Sequence, residues 1–149
     1  PSWLQSSKWA MPAIVLASIW KDMGYFGLML MSGLQGINQE YYDAAAIDGA
    51  GKIKQFTRIT LPLLTPTLFF VLIISLINSF QLFTQIMIMT PDGGPLGSTM
   101  VMVERIYKCG FRYYEMGTAA AYSWILFAIL LLLTMVQMKL QNKWVNYDD

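Results

Sequence analysis

Three apolar runs divide this chain, with polar, turn-rich stretches between them. The first extends from Ala10 to Leu34. As a helix rising about 1.5 Å per residue, a run of roughly 25 residues crosses a hydrocarbon core of about 30 Å. The second, Leu61 to Met89, lies in a stretch with no charged residue between Arg58 and Asp92. It predicts one long membrane helix with Pro62 and Pro66 in its first turns, where a missing N–H is tolerated. The third, Met116 to Met138, is also free of charge. Gly117, Thr118, Ala119, Ala120 and Ala121 at its start predict close helix–helix approach. The expected fold class is all-α: a polytopic membrane protein whose helical transmembrane bundle forms a single domain fragment over residues 1–149.

The connectors carry their own signals. Residues 38–60 predict a water-facing helix–turn–helix. Asn38 can cap a helix start, with Gln39, Glu40 and Asp43 placing acceptors near its positive end. Ala44, Ala45 and Ala46 favour helix, and Gly49 and Gly51 permit a sharp turn. A second short helix, Lys52 to Thr60, bears Lys52, Lys54 and Arg58. Beyond the second run, Thr90 to Thr99 reads TPDGGPLGST, a loop by composition. Met100 to Tyr114 predicts an amphipathic interfacial helix, so residues 90–115 form one connector. Trp3 and Trp9 suit a membrane interface, and the tail QNKWVNYDD is short and polar.

Composition agrees with a membrane location. The chain is 56% hydrophobic and 13% charged, with mean hydropathy +0.47, outside the ordinary soluble range. Its net charge of +1 suggests no nucleic-acid partner. With no histidine and one cysteine, Cys109, an internal disulfide, a Cys/His metal site and a histidine-based catalytic triad are excluded; Cys109 is expected to be a packing residue. Gly49 to Ile53 superficially resembles the end of a phosphate-binding loop. That pattern needs Gly where Ala46 stands and Ser or Thr where Ile53 stands, so no ATP binding is expected, and the chain is not read as an enzyme.

Two polar stripes interrupt the apolar runs. Ser18, Lys21, Asp22 and Tyr25 fall at helical spacing on one face. Charge at bilayer depth is costly unless paired or wet, so this face is expected to look into the bundle. Ser75, Asn78, Ser79 and Leu82, with Gln81 and Gln85 beside them, form a similar stripe. Hydroxyls and amides suit a neutral polyhydroxylated solute; equally, such groups serve as interhelical glue. Lys52, Lys54 and Arg58 on one connector, and Lys139 and Lys143 after the last run, predict that both lie in the cytoplasm. Arg105, Lys108 and Arg112 on the opposite side weaken that argument, with Glu104 and Glu115 partly offsetting them.

The order Asp43-Ala44-Ala45, Gly49, then Ile59, Leu61 and Pro62 resembles the EAA loop of permease subunits in binding-protein-dependent ABC importers. The text DAAAIDGA and ITLPLLTPTL, with the GGP loop, is similar to carbohydrate permeases of the MalF/UgpA type, except that Asp43 stands where Glu is usual. The resemblance implies a permease of the type I importer (MetI-like) kind, multi-pass in the bacterial cytoplasmic membrane. Such permeases are about twice as long, so this chain is expected to be the C-terminal half of one. The resemblance further implies that Asp43, Ala44, Ala45, Asp48, Gly49, Ala50 and Gly51 engage a separate ABC ATPase dimer, and that Ser18, Lys21, Asp22, Tyr25, Ser75, Asn78, Ser79, Gln81 and Leu82 line the solute path. The implied partners are that ATPase, which carries ATP and Mg while this chain holds no cofactor, a second permease subunit, membrane lipid, a sugar or oligosaccharide, and an extracellular solute-binding protein meeting the GGP loop and the interfacial helix. The rival reading is half of a secondary transporter or channel with Lys21 and Asp22 as an ion relay; a scaffold module without a path is a third.

Overall fold

The computed structural model describes residues 2–144, with side chains as far as Gln141. The Lys143 side chain and the end of the tail lie outside the described residues. No strand occurs among those described. Helix α1, Ala10–Gln35, matches the first apolar run. The Ala10 amide bonds the Ser6 carbonyl at 2.9 Å, and Pro12 falls in the opening turn, where its missing N–H costs little. The elbow follows as α2, Gln39–Ile47, and α3, Lys52–Gln55.

The second apolar run departs from expectation, because it is not one helix. Helix α3 widens into one π-turn, Phe56–Thr60, with the Leu61 amide reaching back to the Phe56 carbonyl. It continues as α4, Leu61–Leu63. The proline ring at 62 crowds the carbonyl four residues back, and a wider turn relieves that contact. The axis then bends by 60° at Leu64 before α5, Thr65–Phe80. Pro66 cannot donate to the Pro62 carbonyl, and the Thr65 hydroxyl donates to it instead at 2.6 Å. A second break falls at Gln81–Phe83, before α6, Thr84–Met89.

After the loop come α7, Met102–Tyr107, a π-turn Lys108–Arg112, and α8, Met116–Trp144. Helical structure thus covers 102–112 of the expected 100–114 segment, and the last helix outruns the expected end at Met138. Helices α1 and α8 are each long and apolar enough to cross a membrane, and the bent α3–α5 segment supplies a third span if counted as one.

The chain forms two units: the segment up to Asp22 with Ser75–Met135, and Met23–Ile74 with the chain from Val136. In the first, Ala10, Ile14, Ile86, Cys109, Ala119 and Leu126 are buried. A Cβ on Gly110 would stand 3.4 Å from that of Ala119, the close approach expected of the small residues opening α8. In the second unit, Leu64 and Phe69 are buried. There Gly33 of α1 admits the start of α5, since a Cβ would lie 2.5 Å from Thr67 Oγ1. Most large apolar side chains of α1 and α8 face outward; Trp20 is 78% and Trp124 71% exposed. Apolar surface on this scale belongs to a protein covered by lipid or by partner helices.

Candidate coupling elbow and transport-path residues

The elbow is built by local chemistry. Asn38 Oδ1 accepts the Glu40 amide at 3.1 Å, the N-cap its residue type predicts. At the other end of α2, the Gly49 amide bonds the Ala46 carbonyl at 3.0 Å and the Ala50 amide bonds the Ala45 carbonyl at 2.9 Å. This pair of bonds is a Schellman cap, which needs a left-handed residue at its centre. Gly49 supplies it, with φ +75°. Gly51 does not share that role: its φ is −67°, open to any residue. Two further bonds brace the elbow. Tyr42 and Thr60 hydroxyls meet at 2.9 Å, and Gln55 Nε2 donates to the Ala50 carbonyl at 3.1 Å.

Asp43, Ala44, Asp48, Gly49 and Gly51 are exposed, and Ala45 and Ala50 half-buried. The Asp43 carboxylate accepts only a local bond from Gln39 Nε2 at 3.3 Å. Around the turn stand apolar side chains that sequence reasoning passed over: Ile47 is 88% and Ile53 83% exposed, with Phe56 nearby in the chain and also outward. Exposed apolar side chains beside charged and small residues mark this elbow as a contact surface, whether for protein or for membrane.

The first polar stripe keeps its helical register and the second keeps part of it. Ser18, Lys21, Asp22 and Tyr25 keep their helical register because α1 is unbroken. Lys21 Nζ lies 3.3 Å from Asp22 Oδ1, with the lysine well exposed. The Ser18 hydroxyl is spent on its own helix, donating to the Ile14 carbonyl at 2.9 Å. Ser79 likewise donates to the Ser75 carbonyl at 2.8 Å. Ser75, Asn78 and Ser79 share α5, whereas Gln81 and Leu82 fall in the break and leave the helical stripe. Ser79 borders a cavity of about 340 Å³ lined also by Phe80, Val101, Met102, Leu126 and Ile129. Among the described residues, no hydrogen bond or ion pair joins the two stripes.

The connector after α6 holds an ionic cluster that sequence reasoning did not assemble. Glu104 is fully buried, and its Oε1 lies 2.9 Å from Lys108 Nζ. That contact is an ion pair by distance without hydrogen-bond alignment, and Oε2 has no partner among the described residues. Lys108 Nζ also lies 3.8 Å from Asp92, which Arg112 grips directly. The hydrogen bond from Arg112, then its charge, hold the Asp92 carboxyl below the usual range, with Lys108 adding to the effect. Arg105 stands 5.9 Å over the Tyr122 ring.

A helical protein with membrane-length apolar helices and a charged connector elbow belongs among integral membrane components. From residue 2 to residue 147 the chain matches the family described as "Binding-protein-dependent transport system inner membrane component", and it belongs to that family. It is 35% identical over 148 residues to "Probable ABC transporter permease protein YesP" of Bacillus subtilis (strain 168), covering 99% of this chain and 48% of that protein. It is 36% identical over 144 residues to the sn-glycerol-3-phosphate transport system permease protein UgpA of Pectobacterium atrosepticum, covering 97% and 49%. The chain thus spans about half the length of these relatives. A chain from the crystal structure of a bacterial ABC transporter involved in the import of the acidic polysaccharide alginate matches with TM-score 0.82 and 23% identity, over 95% of this chain and 49% of that one; that likeness is one of fold.

Proposed function

We propose that this chain is the pore-forming half of a permease subunit in an ATP-driven, binding-protein-dependent importer, multi-pass in the bacterial cytoplasmic membrane. The observation that carries the reading is the elbow α2–α3. A rigid Schellman turn at Gly49 presents exposed Asp43, Ala44, Ile47 and Ile53, as a docking joint needs. A separate ATPase dimer closing on ATP moves this joint, and the attached helices rock between inward and outward access. In this scheme Asp43 pairs with a basic group of the ATPase, and Ala45, Asp48, Ala50 and Gly51 complete the surface. ATP and Mg act on the partner, and this chain holds no cofactor.

The solute proposed is a sugar, an oligosaccharide or a related polyol. The hydroxyl and amide groups of Ser75, Asn78, Ser79 and Gln81 support that class. So do the names of two similar proteins, an sn-glycerol-3-phosphate permease and an alginate importer. Ser18, Lys21, Asp22, Tyr25 and Leu82 complete the proposed path. A second permease subunit closes the pore, and an extracellular binding protein delivers solute. The break at Gln81–Phe83 fits a path, since non-helical backbone at membrane depth is tolerated where it lines a wet cavity.

The test is uptake into vesicles holding the co-purified subunits. Uptake that needs the ATPase and ATP supports the proposal. Uptake that survives without ATP and collapses with an ionophore transfers the role to the Lys21–Asp22 pair as an ion relay.

A further inference from the structure

Between α7 and α8 lies a polar hollow that neither the coupling elbow nor the proposed path uses. Its volume is about 300 Å³, and its lining includes Arg105, Lys108, Tyr113, Glu115, Thr118 and Tyr122, all within one unit of the chain. The π-turn Lys108–Arg112 builds it. The Tyr113 amide reaches back to the Lys108 carbonyl at 2.9 Å, and the Glu115 amide to the Cys109 carbonyl at 2.8 Å. The start of α8 is thereby folded beside α7. The three charged groups of the lining differ in how they are satisfied. Lys108 is buried, and Glu104 meets its charge at 2.9 Å. Arg105 and Glu115 are exposed and form no ion pair with each other or with any other described residue. Arg105 lies over the Tyr122 ring and turns one N–H toward the Met100 sulfur at 3.4 Å, a weak acceptor that leaves most of its five donors free.

We propose that this hollow binds the headgroup of a zwitterionic phospholipid, with its phosphate at Arg105 and its primary ammonium at Glu115. Unpaired charges of opposite sign sharing one recess suit a ligand that carries both signs apart. A pure anion would meet the Glu115 carboxylate, and a pure cation would meet Arg105 and Lys108; like-charge contact disfavours each. The guanidinium fork matches phosphate geometry, and the hydroxyls of Tyr113, Thr118 and Tyr122 can donate to phosphate oxygens. The surroundings select a lipid over a soluble zwitterion. Phe111, Tyr113, Tyr114 and Met116, beside the hollow, all face outward, and aromatic side chains of this kind settle at headgroup depth. The inference needs only the membrane location that the family description gives and stands apart from the import reading.

The test uses the full-length permease, with the chains that co-purify, in detergent. It is titrated separately with phosphatidylethanolamine, phosphatidylglycerol and phosphatidylcholine, and retained lipid is read by native mass spectrometry. Phosphatidylethanolamine should be retained at about tenfold lower concentration than the other two, since phosphatidylglycerol lacks the ammonium and phosphatidylcholine lacks its N–H donors. Arg105→Gln should weaken retention of all three by about tenfold, and Arg105→Lys by less. Glu115→Gln should weaken phosphatidylethanolamine alone and erase its lead. Both side chains are exposed, so neither substitution opens the core. Retention that is indifferent to headgroup, favours phosphatidylglycerol, or is unmoved by both substitutions leaves two solvated charges and overturns the site. Free phosphoethanolamine binding as tightly as the lipid assigns the hollow to a soluble zwitterion and overturns the lipid.

Discussion

At the scale of single residues, Gly49 does what only glycine does cheaply. Its φ is +75°, and a Cβ at this position would meet nothing within 4 Å. A side chain there brings backbone strain and bulk toward a partner, not an internal clash. Gly49→Leu should cost about 1–2 kcal/mol locally, leave membrane insertion intact and cut uptake severely; Gly49→Asn should fall between. Uptake at the wild-type rate in Gly49→Leu vesicles would contradict the joint. Asp92 gives a pH prediction. Its carboxyl is held below the ordinary value, so its contribution is present above the unfolded carboxylate value and is lost as pH falls through the lowered one. Spin-label mobility in the 91–98 loop should stay flat from about pH 8 to about pH 5 and rise only below about pH 4. Asp92→Asn should raise mobility throughout and flatten the profile. A rise between pH 7 and pH 5 in the unsubstituted loop would point to another group.

These two residues differ in how far the sequence discloses them. The cap at Gly49 is local: three alanines, an aspartate and a glycine specify a helix and its left-handed end within a few residues. The partners of Asp92 lie along a later helix, and no local rule pairs them. Glu104 and Lys108 stand one turn apart, and nothing local in the sequence announces that the fold buries both.

At the scale of elements, that buried pair sets a clear expectation. Glu104→Ala leaves the buried Lys108 ammonium only its longer 3.8 Å contact with Asp92 and should cost up to about 3–5 kcal/mol, read as a lower unfolding midpoint in detergent. Replacing both with apolar residues of similar volume should restore most of the loss, and a Glu104→Ala midpoint equal to wild type would mean the pair is wet. The bend at Leu64 follows from Pro62 and Pro66 together. Pro66→Ala returns an N–H that the Pro62 carbonyl can accept, and should reduce the 60° bend as read by spin–spin distances across it. An unchanged distance would assign the bend to packing of Leu64 and Thr67 against Gly33. The proline break was within reach of the sequence, since proline spacing marks it. The break at Gln81–Phe83 was not: no glycine or proline stands there, and an uninterrupted apolar run reads as one helix whatever the tertiary packing does to it.

At the scale of the whole molecule, hydropathy alone disclosed the starts of α1 and α8, because long apolar runs have few alternatives in a bilayer. The polar stripes were legible as register but not as a site. Ser18 and Ser79 turn out to bond their own helices, and Gln81 and Leu82 leave the stripe. The family match covers nearly the whole chain but about half the length of its relatives, so the machine proposed is an assembly. The parts proposed for this chain are a membrane path and an elbow that receives force.

The central claim is that this elbow is the joint through which motion enters from a motor subunit. The most direct measurement is site-directed crosslinking from Ala44→Cys and Ile47→Cys in the assembled complex, with and without nucleotide. The account predicts adducts with the ATPase at both positions, changing in yield when ATP binds, and no labelling by reagents confined to the outer face. Labelling from outside, or an assembled and active complex in which neither position reaches the ATPase, would contradict it.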